Sequence, residues 1–352
     1  MAFQLDHLHT LVVLVEEGTF EAAAQRLRLS ASAVSQRIKA MEQAAGQVLI
    51  QRLNPVVPTI AGDIVLRHAR QVQLLESDVA TELGAGLQTG GRTSLALAVN
   101  ADSLGTWFLD ALAAVPEGSG AVFDIYREDQ EHTTSLLRSG AVMAAVTSTA
   151  EAVQGCSSVR LGSMRYRAVA SPRYVDIWLG GVAGTAGPGT SGFDLAGPDV
   201  AGLEVVGLEV AGPGTVGPGI AGFDLAGPDV AGPDVAGPDL AGLDAAPMVN
   251  FDRRDDLQHR FLRGIGGRAA DVPRHHIPTS ADFARAVVLG LGWGLLPEQQ
   301  CLTELGDGRL VELAPGHPID VVLYWQRWNI ASRLLDQVTD AVGRVAAASL
   351  HP

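Results

Sequence analysis

The sequence predicts an α/β protein with an all-α domain in front. Three observations carry this: helical spacing of apolar residues confined to the first part of the chain, alternating strand-like and helix-like segments after Gly90, and a glycine-spaced repeat that interrupts that alternation. At 352 residues and 47% hydrophobic content, the chain is long enough for two or three domains with buried cores, at roughly 100–200 residues each. Its two cysteines, Cys156 and Cys301, lie far apart and outside any partner motif, which excludes a disulfide scaffold, a redox pair and a cysteine-rich zinc module. Asp6 stands where a secretory leader would want basic residues, Leu11 to Val15 is too short for a leader core, and no apolar run reaches membrane-span length. A soluble cytoplasmic protein is expected.

The first elements are short helices. Leu5, Leu8, Leu11, Val12 and Val15 recur at helical spacing, as do Phe20, Ala23, Ala24 and Leu27, with Gly18 between the two sets and Thr19 placed to cap the second. After Arg28-Leu29, Ser30 can cap a third helix that ends at Gly46 and carries the stripe Val34, Ile38 and Met41. Its other face offers Ser32, Ser35, Gln36, Arg37 and Lys39, groups that reach base edges and phosphates. Two short helices with a tight turn, the second polar near its start, make a helix-turn-helix, whose second helix lies in the major groove.

The segment 48–66 reads as two short strands bent at Asn54-Pro55 with Arg52 projecting, a wing beside the recognition helix. Thr59 to Leu83 then forms a long amphipathic helix with Ile64, Leu66, Val72, Leu75, Val79 and Leu83 on one stripe. So small a domain gives that stripe little to bury against, so pairing with a second copy is expected.

The net charge of −14 argues at first sight against a nucleic-acid partner. However, seven Asp, two Glu and no basic residue fall between Gly180 and Pro247, so nine of those fourteen charges sit in one segment. Residues 1–60 carry five basic and five acidic side chains and are neutral. The acidic segment coincides with the repeat, in which glycine recurs at every fifth position from Gly187 to Gly242, as in FDLAGPDVAGPDVAGPDLAG. It partly resembles pentapeptide-repeat solenoids, but Pro198, Pro228, Pro233 and Pro238 stand where those want a small residue, and they remove backbone donors. A flexible acidic Pro/Gly insertion is the favoured reading.

From 91 onward, strands and helices alternate. SLALAVN, a helix from Asp102, AVFDIYRE, a helix near 130–139 and AVMAAVTST make one doubly wound half. VRLGSMRYRAVAS, a helix at 171–179, APMVNF, helices near 254–263 and at 280–289, and GWGLLP make a second, closed by VVLYWQR and a last helix. Two such lobes joined by crossover strands form a periplasmic-binding-protein-like clamp, with ligands seated outside the strand carboxyl ends. Those ends supply Asn100, Asp102 and Ser103, whose helix start could hold a carboxylate, then Thr147, Asp252, Ser280 and Asp282. A carboxylate-binding helix start facing carboxylates suits an amino acid with a cationic side chain. Asp102, Ser280 and Asp282 could equally be helix-capping residues.

Residues 1–90 resemble the winged helix-turn-helix of LysR-type transcriptional regulators, in the pattern GTFEAAAQRLRLSASAVSQRIKAMEQAAGQVLIQR. LALAVNADSLGTWFLDAL, APMVNFDRRDDLQHRFL and GWGLLP resemble the ArgP/LysG group within that family, regulators of basic amino-acid export. The resemblance implies a homodimer or homotetramer on a pseudo-palindromic operator, a lysine- or arginine-like effector, and RNA polymerase as a candidate partner. Ala31 stands where many members carry glutamine, and Val56-Val57 where the wing often carries a second arginine, which implies fewer phosphate contacts.

The expected organisation is a winged helix-turn-helix over 1–58, a dimerisation helix over 59–90 and an effector domain over 91–352. Within the last, lobe I covers about 91–150 and 310–352, lobe II about 151–309, and the insertion 180–245. GIGG at 264–267 and GLGWG at 290–294 lack the context of a dinucleotide fingerprint, and His275-His276 point to opposite faces of a strand, so neither cofactor nor metal is expected. Core packing is the default for Trp107 and Trp293, while Trp325 and Trp328 are candidates for a lobe interface. No nucleophile–base pairing supports an enzyme. The competing readings are an amino-acid-binding protein whose DNA binding is weakened by the wing changes and the insertion, and a protein broken by the insertion if its two ends lie apart.

Overall fold

The computed structural model describes residues 2–83, 93–127, 130–180, 240–243, 245–267 and 272–352, so the repeat lies outside the described residues except for its last turn. Helices α1 (Leu5–Glu17), α2 (Phe20–Leu27) and α3 (Ala31–Ala45) share a core of Leu8, Leu11, Leu14, Ala23, Val34, Ile38 and Met41. The caps form as the residue types demand. Thr19 Oγ1 accepts the Ala22 N–H and Ser30 Oγ the Ala33 N–H, each at 3.2 Å. All three helices end on a left-handed residue: Gly18 at φ +74°, Gly46 at φ +68°, and, after α2, Arg28 at φ +56°. Arg28 is the one non-glycine with positive φ among the described residues, a conformation that costs an L-residue about 1 kcal/mol.

Strands β1 (Ile50–Gln51) and β2 (Val57–Pro58) pair antiparallel as the wing, and the Glu42 carboxylate ties α3 to it by accepting the Leu49 N–H at 3.0 Å. Helix α4 (Ile60–Glu82) buries Val65, Leu66 and Ala69 on this core and leaves Ile60, Ile64, Leu75 and Val79 exposed, with Leu83 just beyond its end. The sequence reading set Leu66 and Val72 on the outer stripe. Both pack inward, because residues two apart on a helix, such as Ile64 and Leu66, lie about 200° apart around it.

Lobe I is built on β3 (Thr93–Val99), parallel to β4 (Ala121–Arg127) on one side and β5 (Ala144–Thr147) on the other. Helix α5 starts at Ala101–Ser103, widens to a π-helical turn at Leu104–Phe108 and finishes at Leu109–Ala113; α6 (Gln130–Ser139) follows. The last carbonyls of α6 meet the linker helix, since Arg67 donates to Arg138 O at 3.2 Å and Arg70 to Gly140 O at 2.8 Å.

Long antiparallel β6 (Cys156–Ala170) and β11 (Ile319–Trp328) run from lobe I into lobe II, where β9 (Gly294–Pro297) and β10 (Val311–Glu312) pair with the far half of β6. The sheet order is β10-β6-β11-β5-β3-β4. Lobe II adds α7 (Pro172–Trp178), the parallel pair β7 (Met248–Asn250) and β8 (Arg274–His276), α8 (Leu257–Gly264), α9 (Ser280–Val288) and α10 (Glu298–Gly306); α11 (Arg333–Ser349) returns to lobe I. At the crossover, Arg167 on β6 bridges Glu298 and Glu312, and His351 Nε2 lies 2.7 Å from Glu298 Oε2.

One sequence expectation is revised here, and one open alternative is resolved. Trp325 and Trp328 do not line a lobe interface: both are buried in lobe I, donating to Thr339 Oγ1 and Leu137 O, because they sit on the half of β11 that pairs with β5 beneath α6 and α11. The ends of the insertion are also adjacent. A Cβ on Gly242 would lie 2.9 Å from the Trp178 carbonyl, and the neighbouring Leu179 and Leu243 are both buried. No helix among the described residues is long and apolar enough to cross a membrane.

Candidate functional site

Two surfaces carry the candidate residues. On the first, α3 presents Ser32, Gln36 and Lys39 exposed and Ser35 half-buried, with no acid in its outward turns. Glu42, the only carboxylate of α3, is turned toward the wing N–H groups. Arg52 stands over the Phe20 ring at 5.1 Å and reaches Ser35 Oγ at 3.4 Å, so the wing cation and the α3 hydroxyls form one polar surface. Lys39 is the single lysine in the chain and makes no ion pair among the described residues.

Arg37 departs from the expected set. Its guanidinium pairs with Asp6 at 3.0 Å and donates to Thr10 Oγ1 at 3.0 Å, which binds α3 to α1 and turns the side chain away from Ser32 and Gln36. One residue along a helix is a rotation of about 100°, enough to move Arg37 off the face that Gln36 occupies.

The second surface is a cavity of about 470 Å³ between the lobes, lined by Asn100, Asp102 and Thr147 from lobe I and by Phe251, Asp252, Asp255 and Gln258 from lobe II, with Arg127, Thr133, Tyr166, Arg254 and Gln300 around them. Asp102, in the first turn of α5, accepts the Ser280 hydroxyl at 2.7 Å on one oxygen and the Tyr166 hydroxyl at 2.8 Å on the other. Burial and the Asp102 charge hold the Tyr166 hydroxyl well above its ordinary pKa, so it remains a donor. Asp252 Oδ1 accepts the N–H groups of Arg254 and Asp255, and Asp255 in turn accepts those of Phe251 and Leu257. Burial pushes the Asp255 carboxyl up, those N–H donors pull it back, and the charges of Asp102 and Asp252 add to the rise. No lysine or arginine pairs with Asp102, Asp252 or Asp255 among the described residues.

Of the seven residues expected around a ligand, four line the cavity: Asn100, Asp102, Thr147 and Asp252. Ser280 stands one layer behind, between Asp102 and Gln300, which donates to its hydroxyl at 2.8 Å. Ser103 and Asp282 do not reach it. Asn100 Oδ1 already accepts the Ser103 N–H at 2.7 Å and the Ser103 hydroxyl is fully buried, so the α5 start is self-capped rather than open to a carboxylate. Asp282 is exposed and accepts from Thr279 Oγ1 at 2.5 Å, acting within its own helix start. Tyr166 and Asp255 escaped the sequence reading. Tyr166 sits inside a long crossover strand rather than at a strand end, whereas the run Arg253-Arg254-Asp255-Asp256 offered a signal for Asp255 that was not used.

A winged helix-turn-helix joined by a long helix to a two-lobed α/β clamp defines a DNA-binding protein with a small-molecule cavity. The family described as bacterial regulatory helix-turn-helix protein, lysR family, matches residues 5–63. The chain is 36% identical to the lysine export transcriptional regulatory protein LysG of Corynebacterium efficiens over 98% of each chain. It is 35% identical to the HTH-type transcriptional regulator ArgP of Pseudomonas aeruginosa over 96% of this chain and 94% of that one. Among solved structures, ArgP of Mycobacterium tuberculosis superposes with a TM-score of 0.74 at 34% identity, covering 98% of both chains. Full-length LysG of Corynebacterium glutamicum with bound effector Arg superposes with a TM-score of 0.67 at 34% identity, covering 99% of this chain and 100% of that one. The chain therefore belongs to the LysR family of transcriptional regulators, in the group that LysG and ArgP represent.

Proposed function

We propose that the chain is a transcriptional regulator that senses a basic amino acid, lysine or arginine, in the cavity between its lobes and controls an amino-acid exporter gene. The observation that carries the effector class is the set of three carboxylates, Asp102, Asp252 and Asp255, at one cavity without a cationic partner among the described residues. Arg127, Arg254 and Arg260 also line the cavity, but Asp102, Asp252 and Asp255 are half-buried carboxylates that make no ion pair with another described residue, so they are free to receive a ligand's ammonium or guanidinium group. The bound arginine of the Corynebacterium glutamicum relative supports the same chemistry.

Ser32, Ser35, Gln36 and Lys39 contact DNA in this reading, with Arg52 on the backbone or minor groove and Arg37 holding α3 against α1. The unpartnered stripe Ile60, Ile64, Leu75 and Val79 pairs two copies, which read a pseudo-palindromic operator as a homodimer or as half of a homotetramer. The working units are 1–58, 59–90 and 91–352, and RNA polymerase is the partner through which occupancy changes transcription. Effector binding shifts the balance between lobe arrangements and so the spacing of the winged helices.

The test is fluorescence anisotropy on duplex DNA from the region upstream of the exporter gene, at several salt concentrations, with and without lysine, arginine and histidine. Specific binding that weakens steeply with salt and shifts with lysine or arginine is expected. Indifference to every amino acid, with none bound by calorimetry, would overturn the sensing role.

A further inference from the structure

The left-handed turn between α2 and α3 is a fixed requirement of the helix-turn-helix. Leu29 N–H bonds back to Ala24 O at 2.9 Å and Arg28 N–H to Gln25 O at 3.2 Å, a closure that places residue 28 at positive φ. The same domain meets the same requirement after α1 and α3 with Gly18 and Gly46. Glycine at 28 would give the same turn without strain, so the side chain itself has to account for the residue kept there.

Within the fold that side chain does nothing. Arg28 is exposed and makes no ion pair and no side-chain hydrogen bond among the described residues. Other arginines of this domain are engaged: Arg26 with Glu16 and Glu17, Arg37 with Asp6, and Arg52 over Phe20. Arg28 lies two residues before Ser30, the cap of α3, at the leading edge of the surface that carries Ser32, Ser35, Gln36 and Lys39.

We infer that Arg28 is a DNA-backbone contact, kept at a strained turn position for its charge. A flexible cation on a rigid turn recognises a phosphate rather than a base edge, so it adds affinity without sequence preference. With Lys39 and Arg52 it gives the neutral domain a cationic border around α3. This rests on the DNA-binding reading proposed above.

The experiment compares the full chain with Arg28→Gly and Arg28→Lys on a labelled upstream duplex and a scrambled duplex of equal length, across a salt series, alongside thermal melts. Arg28→Gly is expected to melt higher than the parent yet bind both duplexes about tenfold more weakly, with the slope of log K against log salt smaller by about 0.9, one phosphate contact. Arg28→Lys, which keeps the charge, is expected to stay within about threefold of the parent. Unchanged affinity and slope in Arg28→Gly would overturn the assignment, as would a lower melting temperature in that variant. A parent that binds neither duplex would instead overturn DNA binding itself, and the assignment with it.

Discussion

Ser280 donates a 2.7 Å hydrogen bond to Asp102, joining the first residue of a lobe II helix to the first turn of a lobe I helix just behind the wall of the candidate effector cavity. Because Tyr166 on the crossover strand occupies the other oxygen, the carboxylate is held by two neutral hydroxyls and its charge faces the cavity unneutralised. Asp102→Asn removes the charge while an oxygen stays in place. Loss of a charge-assisted contact of about 1.5–3 kcal/mol would weaken lysine or arginine binding about 10- to 100-fold by calorimetry. The melting temperature without ligand is expected to fall slightly, because the amide keeps one acceptor oxygen for the two hydroxyls of Ser280 and Tyr166 and one of those hydrogen bonds is lost. Arginine affinity equal to the parent's would remove Asp102 from the site.

The junction of Arg167, Glu298, Glu312 and His351 gives a pH dependence. Burial alone would raise the Glu298 carboxyl, but hydrogen bonds from His351 and Arg167 outweigh it and hold it below its ordinary value. A carboxyl depressed in the folded state contributes stability above its unfolded pKa and loses that contribution as pH falls through the folded value. Glu298→Gln is therefore expected to cost on the order of 1 kcal/mol in urea melts near pH 7, with the gap to the parent closing below about pH 4. A gap that persists in acid would show that packing, not charge, is what the substitution removes.

Both thiols are expected to be inert. Burial pushes Cys156 up to about 11 and Cys301 up to about 12, so the thiolate fraction at neutral pH is negligible. Native protein should release no chromophore from a thiol-exchange reagent over several minutes, and two equivalents once guanidinium is added. Prompt labelling of either cysteine before denaturant would contradict its burial.

Gly242 lies close to the Trp178 carbonyl, so the flanks of the insertion meet and lobe II is expected to fold without it. Replacing 181–239 with a short Gly/Ser linker shortens the loop roughly eightfold, and loop-closure entropy then favours the folded state by about 2 kcal/mol. Equal or greater thermal stability is expected, with arginine binding within a few-fold. A less stable product would mean that the repeat packs on the lobe.

The helix-turn-helix was readable in the residues because its caps and turns are local. Thr19 and Ser30 bind N–H groups three residues on, and Val34, Ile38 and Met41 form a stripe that any helix must bury. The cavity was readable only where strands end, hence Asp102 and Thr147 but not Tyr166. Ser103 and Arg37 were misplaced for a related reason. The Asn100 oxygen that satisfies one and the Asp6 carboxylate that captures the other depend on contacts that spacing along the chain does not encode. Even the meeting of Trp178 with Gly242 spans a separation across which a linear pattern carries no distance information.

Lys39 stands exposed on α3 and is the single lysine in the sequence. Apart from the α-amine, any acylating reagent that modifies a lysine side chain therefore acts at one place, the candidate DNA face. Immobilising the protein through lysine chemistry would block the surface under study, so a sensor chip should be coated by another route. Conversely, one acetyl mass increment on the peptide that carries Lys39, slowed when duplex is added and unchanged when only amino acid is added, would report occupancy of that face without a fluorophore.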